Sequence, residues 1–162
     1  APPARAGLLA GGAQGQQPAM ALALAANWRA SFWVPCADPA AGPPADALTL
    51  MRPLLQQAAL IKLAREEALW LFDTADPAAI QKALPQRPDV VVTDGAAPVR
   101  WQIGSDHGVQ AALKPPLVVD TTGAGDAFTA GLLHRWAAAP QQRIRFAAAC
   151  GALVCGGISF VV

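Results

Sequence analysis

The chain has 162 residues, enough for one domain or one and a half, and its 12 Lys plus Arg against 11 Asp plus Glu leave a net charge of +1. That balance excludes the clustered positive charge of a nucleic-acid or polybasic membrane surface. With 54% hydrophobic and 14% charged residues, the chain is neither disordered nor a charged coiled coil, and its 15 Pro and 14 Gly announce many short elements joined by turns.

Residues 1–20 are rich in Ala, Gly, Gln and Pro and are expected to be poorly ordered or a helix remnant. Ala21–Ala26 reads as a buried strand ending in the polar turn Asn27-Trp28-Arg29, and residues 35–45 as a proline-rich loop. Leu48, Met51, Leu54 and Leu55 recur at helical spacing between Asp46 and Ala58. Leu60–Leu63 is a short strand, followed by a helix over Arg65–Phe72. Glu66 and Glu67 fall in its first turn, where carboxylates suit the positive end of the dipole. Asp76-Pro77 starts a helix that Pro85 stops. Asp89–Thr93 is a buried strand turned by Asp94-Gly95 into Val99–Ile103, a hairpin, with Gly108–Leu113 as a further edge strand. Leu117–Asp120 is a strand leading into Thr-Thr-Gly-Ala-Gly-Asp. A helix from about Asp126 to Ala139 and another over Gln141–Cys155 complete the pattern. Strands alternating with helices indicate an α/β sheet.

The 17 apolar residues Phe146–Val162 sit at the short limit of a membrane span and hold three glycines, so a buried helix plus strand is expected. Cys36, Cys150 and Cys155 form no even disulfide framework and no Cys-x-x-Cys pair, which points to a reducing compartment and ordinary buried thiols. His107 and His134 have no metal-type partner and read as surface or boundary histidines.

Val118–Phe128 carries the chemistry. A strand ends, glycines turn the backbone, and a helix begins. The N–H groups of Gly123, Ala124, Gly125 and Asp126 then face outward at the positive end of that helix, an anion site made of main chain. Asp126 would repel a phosphate bound only for structural reasons. Its presence fits a base that takes a proton from an attacking hydroxyl while the amides stabilise the transferred phosphoryl group. A Walker A loop is excluded by the missing Gly-Lys, and a dinucleotide fingerprint by Phe128 where a third glycine is needed.

Asp-Thr-Thr-Gly-Ala-Gly-Asp-Ala-Phe resembles the C-terminal signature of the ribokinase/PfkB-type sugar kinases. Asn27–Trp33 resembles a strand-end element of the fructokinase-like branch, Ile61–Ala68 the segment of the Asn-x-x-Glu motif, and Val92–Gly95 the Thr-x-Gly nucleotide turn. The likeness runs from about residue 20 to 155. It implies part of a ribokinase-like three-layer sandwich over 21–162, a mainly parallel sheet with helices on both faces. It also implies ATP-dependent phosphorylation of a sugar hydroxyl in the cytoplasm, with Asp126 as catalytic base and Gly123, Ala124 and Gly125 as the anion hole. Glu67 would organise magnesium, and Thr93 and Gly95 would line the ATP site. Asp120 and Thr122 match positions that hold a monovalent cation such as K+ in some members, and Asn27 and Arg29 lie toward the sugar. The partner implied is a small-molecule sugar, with no nucleic acid and no membrane; a homodimer is compatible but not fixed.

Plain structural readings stay open beside these: Glu67 as a first-turn helix charge, Thr93 and Gly95 as hairpin residues, Arg29 as a strand-end charge. Family members are roughly twice this length, Ala25 stands where a strand-end Asp is expected, and Ala64 replaces the Asn of Asn-x-x-Glu. The chain therefore resembles the C-terminal half of such a kinase, truncated at both ends. A catalytically inactive remnant that binds nucleotide or a partner is the alternative.

Overall fold

The computed structural model describes residues 30–33, 52–53, 55–56 and 58–157. The readings for 1–26, for Asn27 and Arg29, for Cys36 and the loop at 35–45, and for the last five residues fall outside them. Of the helix read over 46–58, only Arg52, Pro53 and Leu55 are described as helical.

Five strands, β1 (Ala30–Trp33), β2 (Ala58–Ala64), β3 (Asp89–Asp94), β4 (Ala97–Ile103) and β5 (Asp106–Gln110), form one sheet in the order β1-β2-β3-β4-β5. β1 and β3 both run parallel to β2, with Leu60 opposite Asp89 and Ala64 opposite Thr93. The two-residue connections at Gly95-Ala96 and Gly104-Ser105 reverse the chain, so β3, β4 and β5 form hairpins and the sheet is mixed. The described residues divide into two compact units. One holds those up to Asp94 together with Arg100–His107, the other Gly95–Val99 together with Gly108 onward.

In the first unit, helices α1 (Arg65–Phe72) and α2 (Pro77–Ala83) follow β2 in the chain. Ile61 and Leu63 of β2 and Val90 and Val92 of β3 share one face of the pleat, and they bury with Ala68 of α1, Ile80 of α2 and Leu84. The alternate residues Leu60 and Val91 are buried too, so these strands read as nearly continuous apolar runs, interrupted in β2 by the buried Lys62, the habit of parallel strands covered on both faces. α2 begins as its sequence indicated: the Asp76 carboxylate accepts the N–H groups of Ala78 and Ala79, and Pro77 occupies the first turn, where its missing donor costs nothing.

In the second unit, α3 (Ala124–His134) packs along α4 (Pro140–Cys155). Phe128 and Leu132 of α3 and Ile144, Ala147 and Ala148 of α4 are buried. Arg143 is 3% exposed; its Nε donates to the Leu132 carbonyl at 3.1 Å and its guanidinium lies 4.2 Å above the Trp136 ring. α3 ends at His134 and not near Ala139 as its alanines suggested. Pro140 disfavours the helical conformation in the residue before it, and Ala139 is extended at ψ 144°.

The strand expected at Leu117–Asp120 does not form. No strand among the described residues pairs with this segment, and Leu117, Val118 and Val119 are 69%, 57% and 64% exposed. β-propensity alone does not make a strand when its backbone groups have no ladder to join. No helix among the described residues is long and apolar enough to cross a membrane. Cys150 and Cys155 are free and half-buried, not fully buried as expected. His107 is exposed, and His134, also exposed, stacks on Phe146 with centroids 5.6 Å apart.

Candidate active site

The glycine turn does open a helix. Gly123 takes φ 78° and ψ −3°, a left-handed conformation that costs a residue with a Cβ about 1–2 kcal/mol, and it is the N-cap of α3. The first three amides of a helix have no carbonyl one turn behind them. Here the Ala124 N–H donates outside the helix to the Thr121 carbonyl at 3.2 Å, and Ala127 is the first to make the bond to a carbonyl one turn behind it, that of Gly123 at 2.9 Å. Of the trio expected to hold an anion, Ala124 thus turns its N–H inward, while Gly125, joined by Asp126, keeps an N–H with no acceptor in the helix. Asp126 is exposed in the first turn. Free donors and an exposed acid sit within one turn of helix, so the segment can receive an anion and accept a proton.

The approach to that turn is fixed by side chain and main chain together. Asp120 Oδ1 accepts both the Thr122 N–H at 2.9 Å and the Thr122 hydroxyl at 2.8 Å. These two bonds, the backbone one first, hold the Asp120 carboxyl below its ordinary value of 3.8. The Cys155 carbonyl at the end of α4 accepts the N–H of Val119 at 2.8 Å and of Asp120 at 3.4 Å. Sequence pattern alone does not reveal this support from α4. The signal available was Gly151 inside a helix, with Gly156 and Gly157 at its end, since helical glycine usually has a packing reason.

In the first unit, Glu67 and Thr93 come to one edge. Ala64 and Thr93 are register partners at the carboxyl ends of two parallel strands, and that edge is where open α/β sheets bind ligands. Glu67 is 5% exposed, and its Oε2 accepts the Ala64 N–H at 2.6 Å, reaching back from the third residue of α1 to its cap. The Thr93 hydroxyl donates to the Leu63 carbonyl at 3.3 Å, and Gly95 opens the β3–β4 turn. Arg65 Nε lies 3.8 Å from Asp94 Oδ2, a pair about half exposed. Each of these residues therefore has a structural task, whatever else it does. Among the described residues no three His, Cys, Asp or Glu side chains gather to enclose a metal ion.

A sheet with a parallel core and a glycine turn opening an acid-bearing helix define a ribokinase-like α/β protein. Solved structures share this fold. The crystal structure of a probable sugar kinase from Rhizobium etli CFN 42 matches with TM-score 0.57 and 26% identity, over 68% of this chain and 34% of that one. Aminoimidazole riboside kinase from Salmonella enterica matches with TM-score 0.56 and 25% identity, over 70% of this chain and 41% of that one. The sequence pattern described as pfkB family carbohydrate kinase matches residues 5–159, and the chain belongs to that family. It is 34% identical over 140 residues to "Probable fructokinase-6, chloroplastic" of Arabidopsis thaliana, covering 78% of this chain. The chain spans about a third of that relative's length.

Proposed function

We propose that this chain carries the phosphoryl-transfer machinery of an ATP-dependent sugar kinase of fructokinase type, with residues 21–162 forming part of one kinase domain. The observation that supports it best is Asp126, exposed in the first turn of α3 beside amides that have no helical acceptor. In this reading the Asp126 carboxylate takes the proton of a sugar hydroxyl as its oxygen attacks the γ-phosphorus of ATP. The bond from phosphorus to the bridging oxygen breaks, and ADP leaves with that electron pair. The N–H groups of Gly123 and Gly125 donate to the non-bridging oxygens, where charge is held during transfer. Ala124 contributes through its peptide unit, since its own N–H serves Thr121.

Thr93 and Gly95 are assigned to the nucleotide, Asn27 and Arg29 to the sugar, on the resemblance of their segments. Magnesium would neutralise phosphate charge, held by nucleotide oxygens and, through water, by Glu67. Asp120 offers its Oδ2 to a monovalent cation, with Thr122 beside it, since Oδ1 is engaged by Thr122. The cytoplasm is the proposed setting, in keeping with the free thiols Cys150 and Cys155.

A second reading, nucleotide binding without turnover, draws on the exposed Leu117–Val119 segment that leads into the glycine turn. Calorimetric titration with Mg·ATP, followed by an assay of ADP release with and without fructose, separates the two. Binding with sugar-dependent ADP and a phosphosugar product supports the kinase. Binding with no product supports the second reading, and no binding sinks both.

A further inference from the structure

The last two turns of α4 form a floor beneath the glycine turn. Cys155 holds the amides of Val119 and Asp120. Val154 Cγ1 is 3.9 Å from where a Gly123 side chain would begin. At Gly151 the backbone of α4 lies against the first turn of α3: a Cβ there would sit 3.1 Å from the Ala124 carbonyl oxygen and 3.7 Å from Phe128 Cβ. The Ala124 carbonyl and the Gly125 N–H belong to one planar peptide unit, so whatever displaces that oxygen also redirects that N–H.

We propose that Gly151 is a positioning residue for the phosphate-binding turn. Its missing side chain lets the α4 backbone close against the Ala124–Gly125 peptide plane and set the direction of the Gly125 N–H. The proposal rests on the kinase reading for its effect on turnover, but not for its effect on the peptide plane.

A second glycine supplies the control. A Cβ on Gly131 would lie 2.9 Å from Ala147 Cα and 3.0 Å from Cys150 Sγ, a tighter clash than at Gly151. It lies about 10 Å farther along α3, at 1.5 Å per residue. If these glycines serve only helix packing, Gly131→Ala is the more harmful change by every measure. If Gly151 positions the turn, the two orders invert.

The experiment uses the full chain as wild type, Gly151→Ala, Gly131→Ala and Asp126→Asn. Gly131→Ala should lose more in thermal midpoint yet keep wild-type turnover per folded molecule and unmoved amide resonances at Gly123, Gly125 and Asp126. Gly151→Ala should lose less in midpoint, shift the Gly125 amide, and lower kcat by about tenfold or more at unchanged KM for sugar. An unmoved Gly125 resonance in Gly151→Ala, or activity that tracks midpoint across both variants, overturns the proposal. Undiminished turnover in Asp126→Asn defeats the kinase reading instead and leaves the resonances to judge Gly151. Should Gly151→Ala not fold, the unmutated chain decides: Mg·ATP should move the Hα resonances of Gly151 and not those of Gly131, and unmoved Gly151 resonances count against it.

Discussion

Asp120 and Thr122 are joined twice, by backbone N–H and by hydroxyl, to a single carboxylate oxygen. Both bonds favour the charged carboxylate, so its pKa is lower in the folded chain than in the unfolded one. The unfolded chain therefore takes up the proton at higher pH. The stabilisation is complete above the unfolded value near 3.8 and is lost as pH falls through the depressed folded value. A carbon-13 titration of Asp120 should show a midpoint below 3.8 that rises in Thr122→Val; an unchanged midpoint in that variant would mean the hydroxyl bond contributes nothing.

Gly123→Ala tests the turn without disturbing its packing. The added Cβ would meet only Val154 Cγ1 at 3.9 Å, an ordinary contact, so the cost comes from φ 78° alone. Urea unfolding should show a loss of about 1–2 kcal/mol. A loss well under that would mean the turn relaxes to another conformation.

Glu67 serves as cap in the structure and as magnesium organiser in the proposed function, and two substitutions separate these roles. Glu67→Gln keeps a side-chain oxygen for the Ala64 N–H, so stability should stay near wild type while the magnesium requirement for turnover rises. Glu67→Ala removes the acceptor as well and should also cost about 0.5–2 kcal/mol in unfolding experiments. An unaltered magnesium requirement in both would confine Glu67 to a structural role.

Leu117, Val118 and Val119 present contiguous apolar surface on a segment that joins no ladder among the described residues. Such a run is adhesive. Sedimentation of this chain should reveal concentration-dependent association that Val118→Lys reduces. Association unaffected by that change would place the contact elsewhere.

What the sequence made legible were features whose cause is local. Asp76-Pro77 caps α2 through its own carboxylate, Gly123 turns because only a residue without Cβ does so freely, and the apolar runs of β2 and β3 announce strands buried on both faces. Features with a distant cause were not legible. Leu117–Asp120 has the composition of a strand, but strand formation depends on a neighbour that composition does not supply. α3 stops short of the alanines at 137–139 because their propensity yields to the extended residue that Pro140 demands. The placing of the glycine turn on α4 depends on a carbonyl at Cys155 and a missing side chain at Gly151, about thirty residues on in the chain. Main-chain contacts of that kind leave no residue-type signature beyond the glycine itself.

Asp126 is the residue on which the proposed chemistry turns, and Asp126→Asn tests it with little change of shape. Sugar-dependent ADP release and Mg·ATP affinity should be measured on the same preparation. Release is expected to fall by at least about a hundredfold while the dissociation constant for Mg·ATP stays within a few-fold of wild type. Release at the wild-type rate would contradict the assignment of Asp126 as the base.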